Sequence, residues 1–109
     1  MSHDPAPLVT AALGRLVGGD PLAEVLVAAA ARQHPESFDA AAALALVAPD
    51  DAASRRRARD LARSRRERQH LAVVECWLDG DRDRARVLAR DQLAEFPDDV
   101  MISWLTSRS

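Results

Sequence analysis

Gly18, Ala23 and Pro35 recur as Gly80, Ala85 and Pro97, each member displaced by 62 residues. Glycine can adopt the left-handed conformation that ends a helix tightly, alanine lets two helices approach closely, and proline stops a helix. In that order they punctuate a helical hairpin, so the doubled pattern confines the chain to stacked antiparallel helix pairs. Twenty-two alanines, no tyrosine and only two phenylalanines agree, because a sheet needs β-branched and aromatic side chains to pack. The expected fold is all-α, and 109 residues suffice for one domain with its own core.

The breakers divide the chain into about seven short helices. The first spans Pro7 to Val17; Gly18 and Gly19 supply its left-handed stop, Asp20 caps the second helix and Pro21 suits its first turn. The second runs to Gln33 before Pro35. Ser37 caps a third that reaches Val47, and Ala48-Pro49-Asp50-Asp51 repeats the stop-and-cap chemistry before a fourth. From Asp51 to Asp79 there is no glycine or proline, which suits one long helix. Ser64 followed by Glu67 has the form of a capping box, however, and predicts a break with a fifth helix beginning there. Asp79-Gly80-Asp81 then leads into the sixth helix, and Phe96-Pro97-Asp98-Asp99 into the seventh.

Helix faces separate inner from outer positions. The fifth helix carries Leu71, Val74 and Leu78 on one side and Val73, Cys76 and Trp77 on the other, as a sandwiched helix would. The sixth turns Ala85, Leu88, Ala89, Leu93 and Phe96 inward and Arg84, Arg90, Asp91 and Glu95 outward.

The stretch Trp77-Leu78-Asp79-Gly80-Asp81, followed by Ala85, Leu88, Leu93 and Phe96-Pro97-Asp98-Asp99, resembles a tetratricopeptide repeat. With Arg65-Arg66-Glu67-Arg68-Gln69-His70 ahead of it, the segment is similar to a hairpin of the bacterial tetratricopeptide repeat protein 38-like kind over about 35 residues. The resemblance implies a tetratricopeptide-like superhelix with units at 5–35, 36–64 and 65–97 and a terminal helix at 98–108. Units averaging 31 residues are shorter than the family's roughly 34, and Gln69 and Cys76 stand where it has bulky aromatics. The resemblance further implies that the inner helices line a concave groove for an extended peptide or a partner's helix. Arg15, Glu67, His70 and Trp77 then become the partner-binding residues, with His70, Val74 and Trp77 on one stripe of the fifth helix. The alternative for Trp77 is packing against a neighbouring helix.

The densest charge lies between Ser54 and His70, where Arg55, Arg59, Arg63 and Arg66 form a helical stripe suited to phosphates or an acidic partner. A solvated face balanced by nearby acids is the alternative. No aromatic is interleaved for base stacking, so nucleic acid is not expected. The net charge of −2 supplies no long-range field toward nucleic acid or an anionic membrane. All 15 basic residues are arginine, which with the alanine excess resembles the usage of a GC-rich bacterial genome.

His3, His34 and His70 lack partners at metal-ligand spacing, and Cys76, the single cysteine, has the apolar flank of a buried structural thiol. No phosphate loop or nucleophile elbow appears. Neither catalysis, a metal nor a cofactor is expected. The longest apolar run, Ala40 to Ala48, is too short to span a membrane, and Gly14 and Arg15 interrupt the one leader-like stretch, so the expected location is cytoplasmic. The function expected is a non-catalytic scaffold that binds a protein partner. Its alternative is a self-associating assembly protein that pairs through Met101, Trp104 and Leu105 on a terminal helix with no helix after it.

Overall fold

A computed structural model of the chain describes residues 7–108. Every regular element among them is a helix: α1 (Pro7–Val17), α2 (Ala23–Gln33), α3 (Phe38–Val47), α4 (Ala52–Leu61), α5 (Arg65–Leu78), α6 (Arg82–Glu95) and α7 (Val100–Arg108). The interval from Asp51 to Asp79 divides at the capping box. Ser64 Oγ accepts the Glu67 N–H at 3.1 Å, while the Glu67 carboxylate accepts the Ser64 N–H at 3.1 Å and the Arg63 N–H at 3.0 Å. Burial pushes the Glu67 carboxyl up, but those backbone hydrogen bonds outweigh it and hold the group below the usual carboxylate range.

The turns after α1 and α5 share one chemistry. Asp20 N–H reaches Arg15 O and Gly19 N–H reaches Leu16 O; Asp81 N–H reaches Cys76 O and Gly80 N–H reaches Trp77 O. This paired bonding places a left-handed residue just past the helix. That residue is Gly19 (φ +76°) in the first turn and Gly80 (φ +85°) in the second. Gly18 is therefore not the counterpart of Gly80, and the turn glycines are one residue closer in register than Ala23 and Ala85. The slack falls at the helix starts. Asp81 caps α6 through the Arg84 N–H at 3.3 Å, whereas Asp20 accepts from Leu22 N–H at 2.8 Å within a turn, and α2 opens with Leu22 at its N-cap. Helices α2, α3 and α6 end on His34, Ala48 and Phe96, each followed by proline and each with φ close to −130°. A residue before proline is excluded from helical geometry by the ring, so the chain leaves the helix there.

Helices pair as α1 with α2, α3 with α4 and α5 with α6, and α2 packs on α3. Ala23 and Ala85, 4% and 2% exposed, sit in the first and third hairpins. The innermost helix is α3 rather than α5: Ala40, Ala41, Ala42, Ala43 and Ala45 are buried, and α1, α2, α4 and α5 all touch it. Alanine on every face permits this, because no side chain holds the neighbours away.

Helix α7 folds back over the hairpins. Ile102 and Leu105 join Val73 of α5 and Ala89 of α6, with Leu46, Trp77 and Trp104 packed around them, and Met101 joins the cluster formed by α1, α2 and α3. The last helix also touches the first. The radius of gyration, 12.8 Å, is that of a closed domain of this length. No helix among the described residues is long and apolar enough to cross a membrane.

Candidate functional site

The chemistry concentrates where α7 begins. Asp99, in the link that follows Pro97, is 1% exposed and accepts the Ile102 N–H at 3.5 Å, so it caps α7 from inside the protein. His70, one turn into α5, lies against it, with Nδ1 2.8 Å from Asp99 Oδ2 and 3.1 Å from Oδ1. Gln92 of α6 donates from Nε2 to Asp99 Oδ2 at 2.8 Å and to the Arg66 carbonyl at 3.2 Å. Burial pushes the Asp99 carboxyl up; hydrogen bonding and charge from His70, the Gln92 hydrogen bond and the Arg66 charge outweigh it and hold Asp99 below the usual range.

A carboxylate only accepts, so His70 Nδ1 must carry the proton between them. In the neutral ring this leaves Nε2 as a lone pair. Phe38 of α3 stands edge-on to the imidazole at 5.4 Å between centroids, and His70 is 1% exposed. Nε2 has no hydrogen-bond partner among the described residues. An unpaired polar atom at such a depth is uncommon and costly.

His70 lines a cleft of about 370 Å³ between α1 and the start of α7. Its apolar walls are Val9, Leu13 and Val17 of α1 and Val100 and Met101 of α7; Thr10, Asp39, Arg66, Asp98 and Asp99 supply the polar part. Two of the chain's exposed large apolar side chains, Val17 and Val100, stand at this cleft. Gly14 also lines it, and a Cβ built there meets nothing within 4 Å. All four odd-numbered helices thus contribute to one recess.

The residues singled out from the sequence are distributed differently. Of Arg15, Glu67, His70 and Trp77, only His70 lines this cleft. Arg15 is on the surface in an ion pair with Asp20 at 3.1 Å, and Glu67 is consumed by the capping box. Trp77 packs toward Leu46 and Trp104 with the Arg82 guanidinium 3.7 Å above its ring, which corresponds to the packing alternative.

The arginine stripe does not form a free basic patch. Arg55 binds Glu75 at 3.3 Å and Asp79 at 2.7 Å, Arg59 also binds Glu75, and Arg66 meets Asp39 at 3.4 Å. The acids that meet these arginines come from α5, its C-terminal turn and α3. Arg63 leaves the stripe because α4 ends at Leu61. Met101 and Leu105, each 2% exposed, are spent in the protein's own core, and Trp104 is half-buried, so these side chains leave little apolar surface for a second copy.

Asp99, Gln92 and Asp39 were not anticipated. Gln92 carried a signal, since it falls on the buried stripe of α6 with Ala85 and Ala89 at i, i+4 and i+7, where a polar residue needs a partner. Asp99 carried none, because an acid after proline reads as an exposed cap. Among the described residues no group of acidic, histidine or cysteine side chains is placed to hold a metal ion. No family model, curated protein or solved structure matches this chain.

Proposed function

We propose that the chain is a non-catalytic protein-interaction module, a closed variant of a tetratricopeptide-like superhelix, that receives a segment of a partner in the cleft between α1 and the start of α7. The observation that carries this is the convergence of the odd-numbered helices on one recess. Its walls are apolar, the buried His70 is among the residues that line it, and its volume falls in the roughly 300–1,000 Å³ of recognition pockets. Inner helices of hairpin repeats conventionally present the binding surface. Here α7 covers much of that surface, so the receptive region is reduced to the α1 side.

The non-catalytic reading is supported by what surrounds the buried pair. A nucleophile activated by His70 would hydrogen-bond to Nε2, and among the described residues no hydroxyl or thiol does so. Self-association through α7 receives no comparable support, since Met101, Ile102 and Leu105 are already covered.

Gly14→Leu tests the proposal, because it fills the recess from an open helical position without displacing neighbouring atoms at its Cβ. Peptides selected by display against the wild type are expected to lose at least about tenfold in affinity for the variant, about 1.4 kcal/mol. Amide shifts on binding should localise to α1 and residues 98–101. Peptides that bind both proteins equally, or a selection that enriches none, would overturn the assignment.

A further inference from the structure

The geometry points to a second ligand site, separate from the cleft between α1 and α7, that takes a monovalent organic carboxylate on a short apolar body with Arg82 as its anchor. The site is a recess of about 360 Å³ lined by Leu46 of α3, Trp77 of α5, Arg82 at the first position of α6, and Trp104 and Leu105 of α7. None of these residues lines the other cleft. Arg82 is the single charged side chain of the five, and its guanidinium lies 3.7 Å above the Trp77 ring. Stacking occupies the flat face of the cation, whereas its N–H donors lie in the plane and stay available to an acceptor. The acids nearest in sequence do not take them. Asp79 pairs with Arg55 at 2.7 Å, Asp81 accepts the Arg84 N–H at 3.3 Å and Asp83 pairs with Arg86 at 3.1 Å. Among the described residues no carboxylate pairs with Arg82.

A single cation selects a single negative charge. The guanidinium fork matches a carboxylate bidentately, and stacking on Trp77 orders it before the ligand arrives, so less freedom is lost on binding. A phosphate dianion would find no second cation among the lining residues, and the three acids flanking Arg82 in the sequence oppose a second negative charge. Leu46 and Trp104, both half-buried, offer apolar surface that the body of the ligand can cover. Because the walls come from α3, α5, α6 and α7, an occupied site also ties the last helix to the hairpins.

The recess holds both tryptophans of the chain, so intrinsic fluorescence reports on it directly. The test titrates hydrocinnamate into the full chain at neutral pH, against hydrocinnamyl alcohol, acetate and phenyl phosphate. Hydrocinnamate is expected to change the tryptophan fluorescence saturably and to bind at least about tenfold more tightly than each comparison compound. Arg82→Gln should lose that tenfold, and Arg82→Lys, which keeps the charge without the fork, should fall between the two. Arg84→Gln, exposed and outside the recess, should bind as the wild type does. The urea midpoint should rise with hydrocinnamate in the wild type and stay fixed at the same concentration in Arg82→Gln. An unsaturable fluorescence change, equal binding of the alcohol or of acetate, or undiminished binding by a natively folded Arg82→Gln would overturn the inference. Equal or tighter binding of phenyl phosphate would overturn the choice of a carboxylate. Should Arg82→Gln fail to fold, the comparison of carboxylate with alcohol on the wild type decides the matter alone.

Discussion

Replacing Asp99 with alanine should be the most damaging single polar change available. The substitution removes the acceptor for His70 Nδ1–H and Gln92 Nε2–H, both 1% exposed, together with the side-chain cap of α7. Each stranded buried donor costs about 1–3 kcal/mol. Loss of an N-cap adds about 1 kcal/mol. The sum is about 3–7 kcal/mol. Set against the roughly 5–15 kcal/mol of a typical domain, this leaves the variant near the edge of folding.

Urea unfolding followed by circular dichroism at pH 7 measures the loss directly, provided that the slope with urea is unchanged. A double-mutant cycle with His70→Leu should give a coupling energy above about 1.5 kcal/mol, because the two side chains act on each other. The pH dependence gives a separate check. The folded Asp99 carboxyl titrates below its unfolded value of about 3.9, so its stabilisation is complete above that pH and is lost as pH falls through the folded value. The difference between wild type and variant should therefore shrink in acid below about pH 4. A cost under about 1 kcal/mol, or additive single substitutions, would refute the proposed network.

Alanine at two glycines should act with opposite sign. Gly14→Ala is expected to stabilise the protein by about 0.5–1 kcal/mol, since the position is helical and open; Gly80→Ala should destabilise it by about 1–2 kcal/mol because of its positive φ, and urea midpoints would show both. Ile102→Ala should cost about 2–5 kcal/mol in the same assay, as it empties a site with no exposure; a cost under about 1 kcal/mol would mean that α7 is not docked as described. Light scattering on the purified chain should return the monomer mass of 11.9 kDa, and twice that mass would restore the self-association alternative.

Much of the helical layout was legible because its causes are local. Pro35, Pro49 and Pro97 exclude helix at the preceding residue whatever packs around them, and Ser37, Asp51, Ser64 and Asp81 accept from backbone donors two or three residues away. Where the reading slipped, between Gly18 and Gly19, adjacent glycines left two residues with the same freedom, and only the hydrogen bonds to Arg15 and Leu16 chose between them.

The candidate site was legible in only one of its members. His70 stood out as a polar residue on an apolar helix face, but its direction could not be known: it faces a carboxylate 29 positions further on, across the junction of α5 and α7. Arg66 was read as part of a surface stripe, and its pairing with Asp39 depends on how α3 and α5 cross.

The amino-acid order by itself determined where helices start, stop and turn back, since caps, prolines and left-handed glycines act within a few bonds of themselves. Only the tertiary structure decided that the last helix closes over the hairpins, that α3 rather than α5 is innermost, and that His70, Gln92 and Asp99 share one proton-ordered cluster beside a cleft. Those outcomes depend on the relative placement of helices far apart in the chain, which is set by the summed burial of many small apolar contacts and leaves no mark on any single residue.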